Sequence, residues 1–294
     1  MSIKKIGFIV KHQDEEAAVL SIEVAELLKG RGYEIFFCDE SKAIFRHTKV
    51  KTKFNIVKKT ALAGKVDLII VFGGDGTYLS AARLMKEKSV PVLGVNMGTL
   101  GFLTEVGRDE VYDSLNLILK QKKIKYSERL MLEVSVVRKG KVILKDLVVN
   151  DAVVSKGAIS RIIGIKIMIN GQYANTVRAD GMIVSTPTGS TAYSLAAGGP
   201  IAMPRMACMI ITPICPHGLT QRALVVPDTA KIEMMVETMP GHVFITLDGQ
   251  DLVDLKLGDI ITVSRFKKHK LKVVKSPYRD CFSILREKLN FGGK

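Results

Sequence analysis

The chain has 294 residues, 47% of them apolar, and its 44 basic and 29 acidic side chains leave a net charge of +15. That length fits about two domains, the apolar share allows a sizeable core, and no apolar stretch approaches the roughly 18 residues of a membrane-spanning helix. A positive field attracts anions such as nucleotides, polyphosphate, nucleic acid or acidic lipid, and by itself does not choose among them. The opening apolar run is short and is followed by Lys11, Asp14, Glu15 and Glu16. It lacks the form of a secretory leader, so a cytoplasmic location is expected. Lys5 to Val10 suits a buried strand. Asp14 can cap a helix with Leu20, Val24, Leu27 and Leu28 on one face, ended by Gly30 or Gly32. Tyr33 to Phe37 is a second strand. Residues 41–60 are polar, basic and weakly periodic, and predict a mobile loop around a short helix. Val66 to Phe72 is the strongest strand, followed by a helix through Leu79, Ala82, Arg83 and Met85. Pro91 to Val95 adds a strand and residues 109–121 a helix. Such alternation predicts a mostly parallel sheet covered by helices.

Near residue 125 the pattern changes to strands joined by hairpin signals. Arg138-Lys139-Gly140-Lys141, Asn170-Gly171 and Asp248-Gly249 each separate two β-rich runs, and Asn-Gly and Asp-Gly are strong two-residue turns. The basic run Arg265 to Lys275 alternates with Phe266, Leu271 and Val273, so part of it reads as strand surface. Asp280 can cap a last helix with Phe282, Leu285 and Leu289 on one face. The fold class expected is two-domain α+β: an α/β domain over 1–124, an all-β domain over 125–265, and a segment 266–294 returning to the first domain. Cys38, Cys208, Cys215 and Cys281 have neither Cys-x-x-Cys nor zinc-ligand spacing and read as reduced, mostly buried thiols.

Four stretches carry chemistry. Gly73-Gly74-Asp75-Gly76-Thr77 lies where a buried strand turns into a helix. Its glycines permit close backbone approach to a ligand, and N–H groups at a helix start favour phosphate. Asp75 would repel that phosphate, so its carboxylate either binds a metal, orients a hydroxyl, accepts a proton, or merely caps the helix. The loop lacks the Gly-Lys-Ser/Thr ending of a Walker motif and the dehydrogenase Gly-x-Gly-x-x-Gly pattern. Gly94 to Leu103, with three glycines, again follows a strand and emerges at the edge where open α/β sheets bind ligands; a plain glycine-rich loop is the alternative. Asn150-Asp151 interrupts an apolar β run, as a bulge or as an amide and a carboxylate aimed at ribose or base. Arg178-Ala179-Asp180-Gly181 leads a strand into Thr186-Pro187-Thr188-Gly189-Ser190-Thr191-Ala192-Tyr193-Ser194-Leu195-Ala196-Ala197-Gly198-Gly199-Pro200. This small, hydroxyl-rich stretch offers little apolar area and can line a polar ligand, with Tyr193 as an aromatic face. A capped turn with Tyr193 packed inside is the alternative.

In order and spacing these stretches resemble the NAD kinase family across nearly the whole chain, as do Ile211 to His217, Leu247-Asp248-Gly249-Gln250 and Phe282 to Leu289. The Gly-Gly-Asp-Gly-Thr loop alone is shared with diacylglycerol and sphingosine kinases; the Thr-Pro-Thr-Gly-Ser-Thr-Ala-Tyr segment is more diagnostic. The resemblance implies an α/β domain, a β domain and a cleft between them. It implies phosphoryl transfer from ATP or polyphosphate to the adenosine 2′-hydroxyl of NAD, with Mg²⁺ expected to be carried by the donor; no residue is named as a metal ligand. Asp75 matches the catalytic carboxylate, flanked by Gly74 and Gly76. Asn150 and Asp151, Arg178, Asp180, Thr188, and Thr191 through Ala192, Tyr193, Ser194, Leu195 and Ala196 match NAD-binding positions, and Phe102, Arg161 and Gln250 are further expected contacts. The family also implies a homodimer or homotetramer. Many members have Asn-Glu where this chain has Asn150-Asp151. Alternatives are a lipid or sugar-phosphate kinase sharing the loop, or a basic nucleic-acid-binding protein. No membrane-docking stretch and no nucleic-acid motif is legible, so neither a membrane nor nucleic acid is an expected partner.

Overall fold

A computed structural model describes residues 3–41, 45, 52–157, 161–238 and 241–290. The chain forms two compact units, one of Met1–Glu128 with Leu271–Lys294 and one of Arg129–Lys270.

The first unit is built on β1 (Lys5–Val10), β2 (Glu34–Cys38), β3 (Asn55–Val57), β4 (Leu68–Gly73), β5 (Pro91–Asn96), β6 (Val106–Gly107), β7 (Tyr126–Arg129) and β20 (Leu271–Val274). Their order is β3-β2-β1-β4-β5-β20-β7, with β6 beside β5. The pairs from β3 through β20 are parallel, so these strands end at one edge of the sheet. Helix α1 (Glu15–Gly30) starts as expected: Asp14 is its N-cap and accepts from the Ala17 N–H at 3.0 Å. Its buried face runs through Ala17, Ile22, Val24, Ala25 and Leu28, with Leu20 and Leu27 only half-buried. Next come α2 (Leu62–Lys65), α3 (Asp75–Ala82) and α4 (Val111–Leu119). Phe8, on β1, stacks on Phe37 and Phe72 of the strands either side, at 5.0 and 5.6 Å. Strand β3 is absent from the sequence reading, which expected only a loop around a short helix over 41–60; residues 42–44 and 46–51 of that stretch lie outside the described residues.

Helix α6 (Cys281–Leu289) closes the first unit, capped by Asp280 as expected. Its buried residues are Ile284 and Leu285, whereas Phe282 is 55% exposed. Of the expected face, Leu285 is buried and Leu289 half-buried, so the expectation fails only at Phe282, whose place toward the core Ile284 takes.

The second unit is two antiparallel six-stranded sheets. One has the order β15 (Leu224–Pro227), β14 (Cys208–Ile214), β13 (Gly181–Ser185), β10 (Asp151–Lys156), β17 (Val243–Leu247), β18 (Asp251–Leu255). The other has β12 (Gln172–Ala179), β11 (Ile163–Ile169), β16 (Ile232–Thr238), β19 (Ile260–Arg265), β8 (Leu132–Arg138), β9 (Lys141–Val148). One apolar core joins residues of both sheets, including Val134, Val136, Ile165, Ala152, Val154, Met182 and Val184. With side chains alternating along a strand, Asp151, Val153, Ile183 and Ser185 point to the other face of their sheet. That face is also buried, because the Thr186–Gly199 segment, which holds the short helix α5 (Tyr193–Ala196), lies over it and Ala197 packs on Val153, Ile183 and Ile214. The three predicted hairpin turns form with positive φ at both central residues: Lys139-Gly140, Asn170-Gly171 and Asp248-Gly249. Of the four thiols only Cys38 and Cys208 are buried; Cys215 is exposed and Cys281 half-buried, so the expectation of mostly buried cysteines holds for two.

Candidate active site

In the first unit the two glycine-rich loops meet. Gly73, the last residue of β4, is paired with Asn96, the last of β5, so the segments that follow leave the sheet side by side. Gly74 is the N-cap of α3 and Asp75 is its first residue. The Asp75 carboxylate does not cap its own helix. Its Oδ2 accepts from the Phe102 N–H at 2.8 Å, and its Oδ1 accepts from the Leu103 N–H, the Thr104 N–H and the Thr104 hydroxyl, each at 3.1 Å. Asn96 holds the same loop from below: its Oδ1 accepts from the Gly98 N–H at 2.7 Å, and its Nδ2 donates to the Thr99 carbonyl at 2.7 Å and to Thr104 Oγ1 at 2.9 Å. Gly101 is required here, since a Cβ on it would lie 2.0 Å from Asp75 Oδ1. Phe102, half-buried, has the Lys288 ammonium 5.6 Å from its ring centre.

In the second unit the Asn150-Asp151 pair is gathered by Asp248. The Asp248 carboxylate accepts from the N–H groups of Val149, Asn150 and Asp151, at 3.0, 2.8 and 3.1 Å. The Asn150 carbonyl accepts from the Thr186 N–H at 2.9 Å, and Thr186 Oγ1 donates to the Val149 carbonyl at 2.5 Å. Asp151 stands opposite Ser185 across the β10–β13 pair. Burial, and secondly the Asp248 charge, push the Asp151 carboxyl up to about 7.

The hydroxyl-rich segment uses most of its hydroxyls internally. Ser190 Oγ donates to the Pro187 carbonyl and accepts from the Ala202 N–H; Thr191 donates to the Thr188 carbonyl; Ser194 and Thr212 share a hydrogen bond of 2.9 Å. Two buried hydroxyls, Thr188 Oγ1 and Ser185 Oγ, have no partner among the described residues. Buried polar groups are ordinarily hydrogen-bonded, so a polar ligand that reached either hydroxyl would complete it. Tyr193 is 47% exposed, so its ring is presented rather than packed inside. Ala192 and Leu195 are half-buried and Ala196 is exposed.

The family model described as the ATP-NAD kinase N-terminal domain matches residues 6–124, and that described as the ATP-NAD kinase C-terminal domain matches residues 149–276. The chain belongs to the NAD kinase family. It is 42% identical over 292 residues to the NAD kinase of Citrifermentans bemidjiense, covering 99% of both chains. The solved structure of yeast NADH kinase complexed with NADH superposes with a TM-score of 0.91 at 25% identity, covering 100% of this chain and 89% of that one. An NAD kinase from Archaeoglobus fulgidus in complex with ATP shares the fold, with a TM-score of 0.73 at 24% identity over 96% of this chain and 99% of that one.

Against this family background the expected positions sort by surroundings. Asp248 gathers Asn150 and Asp151 beside the turn that carries the exposed Gln250, Gly189 lies against the Asn150 carbonyl, and Thr191 bonds back to Thr188. Asp180 is half-buried, 3.4 Å from the Lys156 ammonium, and the exposed Arg178 is fixed through its carbonyl, which accepts from the His217 N–H. Arg161 is exposed and joins none of these groups among the described residues. Asn96 and Gly101 lie within the glycine-rich stretch singled out in the sequence, but their individual tasks were not read there; Thr104, Ser185 and the anchoring by Asp248 were not singled out, and the Asp248-Gly249 dipeptide reads first as a hairpin turn.

Proposed function

We propose that the chain is an NAD kinase, moving the terminal phosphoryl group of ATP, or of polyphosphate, onto the adenosine 2′-hydroxyl of NAD. The observation that carries this reading is the 42% identity along 99% of the chain, which includes every stretch singled out for chemistry. Asp75 is the residue proposed to receive the attacking hydroxyl's proton. A carboxylate is a far weaker base than an alkoxide. Phosphoryl transfer tolerates this, because its loose transition state releases the proton late and depends mainly on positioning and charge neutralisation. The glycines beside Asp75 let phosphate approach the start of α3, where the N–H groups favour negative charge.

The dinucleotide is assigned to Asn150, Asp151, Thr188, Thr191 to Ala196, Arg178, Asp180 and Gln250, with Gly74, Gly76, Phe102 and Arg161 as further contacts. The unpartnered Thr188 hydroxyl and the exposed Tyr193 ring support this assignment. A divalent ion would arrive on the donor's phosphates, where it would screen their repulsion. A homodimer or homotetramer in the cytoplasm, with neither nucleic acid nor membrane as partner, completes the proposal; no helix among the described residues is long and apolar enough to cross a membrane. Incubation with NAD, Mg²⁺ and either ATP or polyphosphate should yield NADP. A protein that phosphorylates a diacylglycerol or a sugar phosphate and leaves NAD untouched would overturn the reading.

A further inference from the structure

The Asp75 carboxylate is held unevenly. A carboxylate has about two acceptor positions on each oxygen. Oδ1 already takes three donors, the Leu103 and Thr104 N–H groups and the Thr104 hydroxyl. Oδ2 takes one, the Phe102 N–H, and keeps one position open. The direction of the Thr104 hydroxyl is fixed by its neighbours. Asn96 Nδ2 can only donate, and the orientation of that amide is set because its Oδ1 receives the Gly98 N–H and its Nδ2 reaches the Thr99 carbonyl. Thr104 Oγ1 therefore accepts from Asn96 and must donate to Asp75. Thr104 is fully buried and Asn96 is 3% exposed, so water does not substitute for either. Gly101 leaves the room that this arrangement needs.

We infer that Thr104, oriented by Asn96, is a positioning residue: it locks Asp75 Oδ1 and leaves Oδ2 as the oxygen that accepts the proton of the attacking hydroxyl. This rests on the kinase reading above. In the proposed step the hydroxyl oxygen forms its bond to the terminal phosphorus, the bond from that phosphorus to the donor's bridging oxygen breaks, and the hydroxyl proton passes to Oδ2. The Thr104 hydroxyl contributes no proton. It prevents the carboxylate from rotating about its Cβ–Cγ bond, which would exchange the two oxygens.

The test compares wild type, Thr104→Val, Thr104→Ser, Asp75→Asn and the double variant Asp75→Asn/Thr104→Val, with NADP formation as the readout. Thr104→Val should lower kcat roughly tenfold to a hundredfold, the scale of a lost hydrogen bond to a charged group. The KM for NAD should stay within about twofold, and Thr104→Ser should restore most of the rate. Because Thr104 acts through Asp75, the double variant should be no slower than Asp75→Asn alone. If Thr104→Val does not fold, Thr104→Ala takes its place in the same cycle. Three results would overturn the inference while leaving the kinase reading intact: wild-type kcat in Thr104→Val beside a crippled Asp75→Asn, equal losses in Val and Ser, or losses that add in the double variant. Wild-type protein that forms no NADP would remove the kinase reading and the inference with it.

Discussion

Asp151 is 5% exposed and Asp248 7% exposed, and the Asp248 carboxylate collects three backbone N–H groups from the strand that carries Asp151. Asp151 bears the cost of that proximity. With its carboxyl pushed up to about 7 from 3.8, the native chain holds a proton that the unfolded chain releases. Stability therefore falls as pH rises from about 4 to about 7, and the whole loss is present above the folded value. A rise of that size corresponds to about 4 kcal/mol at full strength. Asp151→Asn abolishes the titration. In urea unfolding at about pH 5 and about pH 9, the variant should gain on wild type by on the order of 2–4 kcal/mol at the higher pH. A gap equal at both pH values would mean that Asp151 is ionised throughout. Asn150 and Asp151 were legible as polar residues in an apolar run. Their anchor was not, because Asp248 acts on backbone N–H groups 97 to 99 residues away, and every sequence has such groups. The same holds for Asp75 and the loop 27 to 29 residues beyond it.

Elements were readable where their chemistry is local. The hairpin dipeptides announce themselves because positive φ at two successive residues favours Asn, Asp and Gly. Helix starts were readable because Asp14 and Asp280 cap from neighbouring positions. Strand β3 was not, since three residues in a basic stretch give no period. The turn that follows β13 depends on a contact no local rule reveals: a Cβ on Gly189 would lie 2.1 Å from the Asn150 carbonyl oxygen, a backbone atom that cannot swing aside. Gly189→Ala should thus cost roughly 1–3 kcal/mol, as overpacking does, and raise the KM for NAD. Gly64, in α2 with nothing within 4 Å of a Cβ, is the control, and Gly64→Ala should stay within about 0.5 kcal/mol of wild type. Unfolding midpoints and NAD kinetics on the pair check this; equal behaviour of the two variants would show that the turn has slack against Asn150.

At the scale of the molecule, the first unit is completed by the end of the chain. β20 pairs in parallel with β5, Lys272 beside Pro91, and α6 supplies the Lys288 ammonium near Phe102. The alternating basic run showed that a strand lay there. It did not show its place in the sheet, because a partner some 180 residues earlier in the chain leaves no mark in local pattern. The net charge of +15 suits substrates that are all anions. In the proposed reaction Asp75, set in the clasp of residues 102–104, receives the proton as the phosphoryl group passes to NAD, and Asp75→Asn separates that role from a purely structural one. Asparagine keeps an acceptor oxygen for the three donors at Oδ1 and gives up only the Phe102 contact and the charge. With kcat and NAD affinity measured separately, kcat should fall at least roughly a hundredfold, the lower end for acid–base catalysis, while NAD affinity changes by no more than about threefold. A kcat near that of wild type in this variant would show that Asp75 takes no part in the phosphoryl transfer.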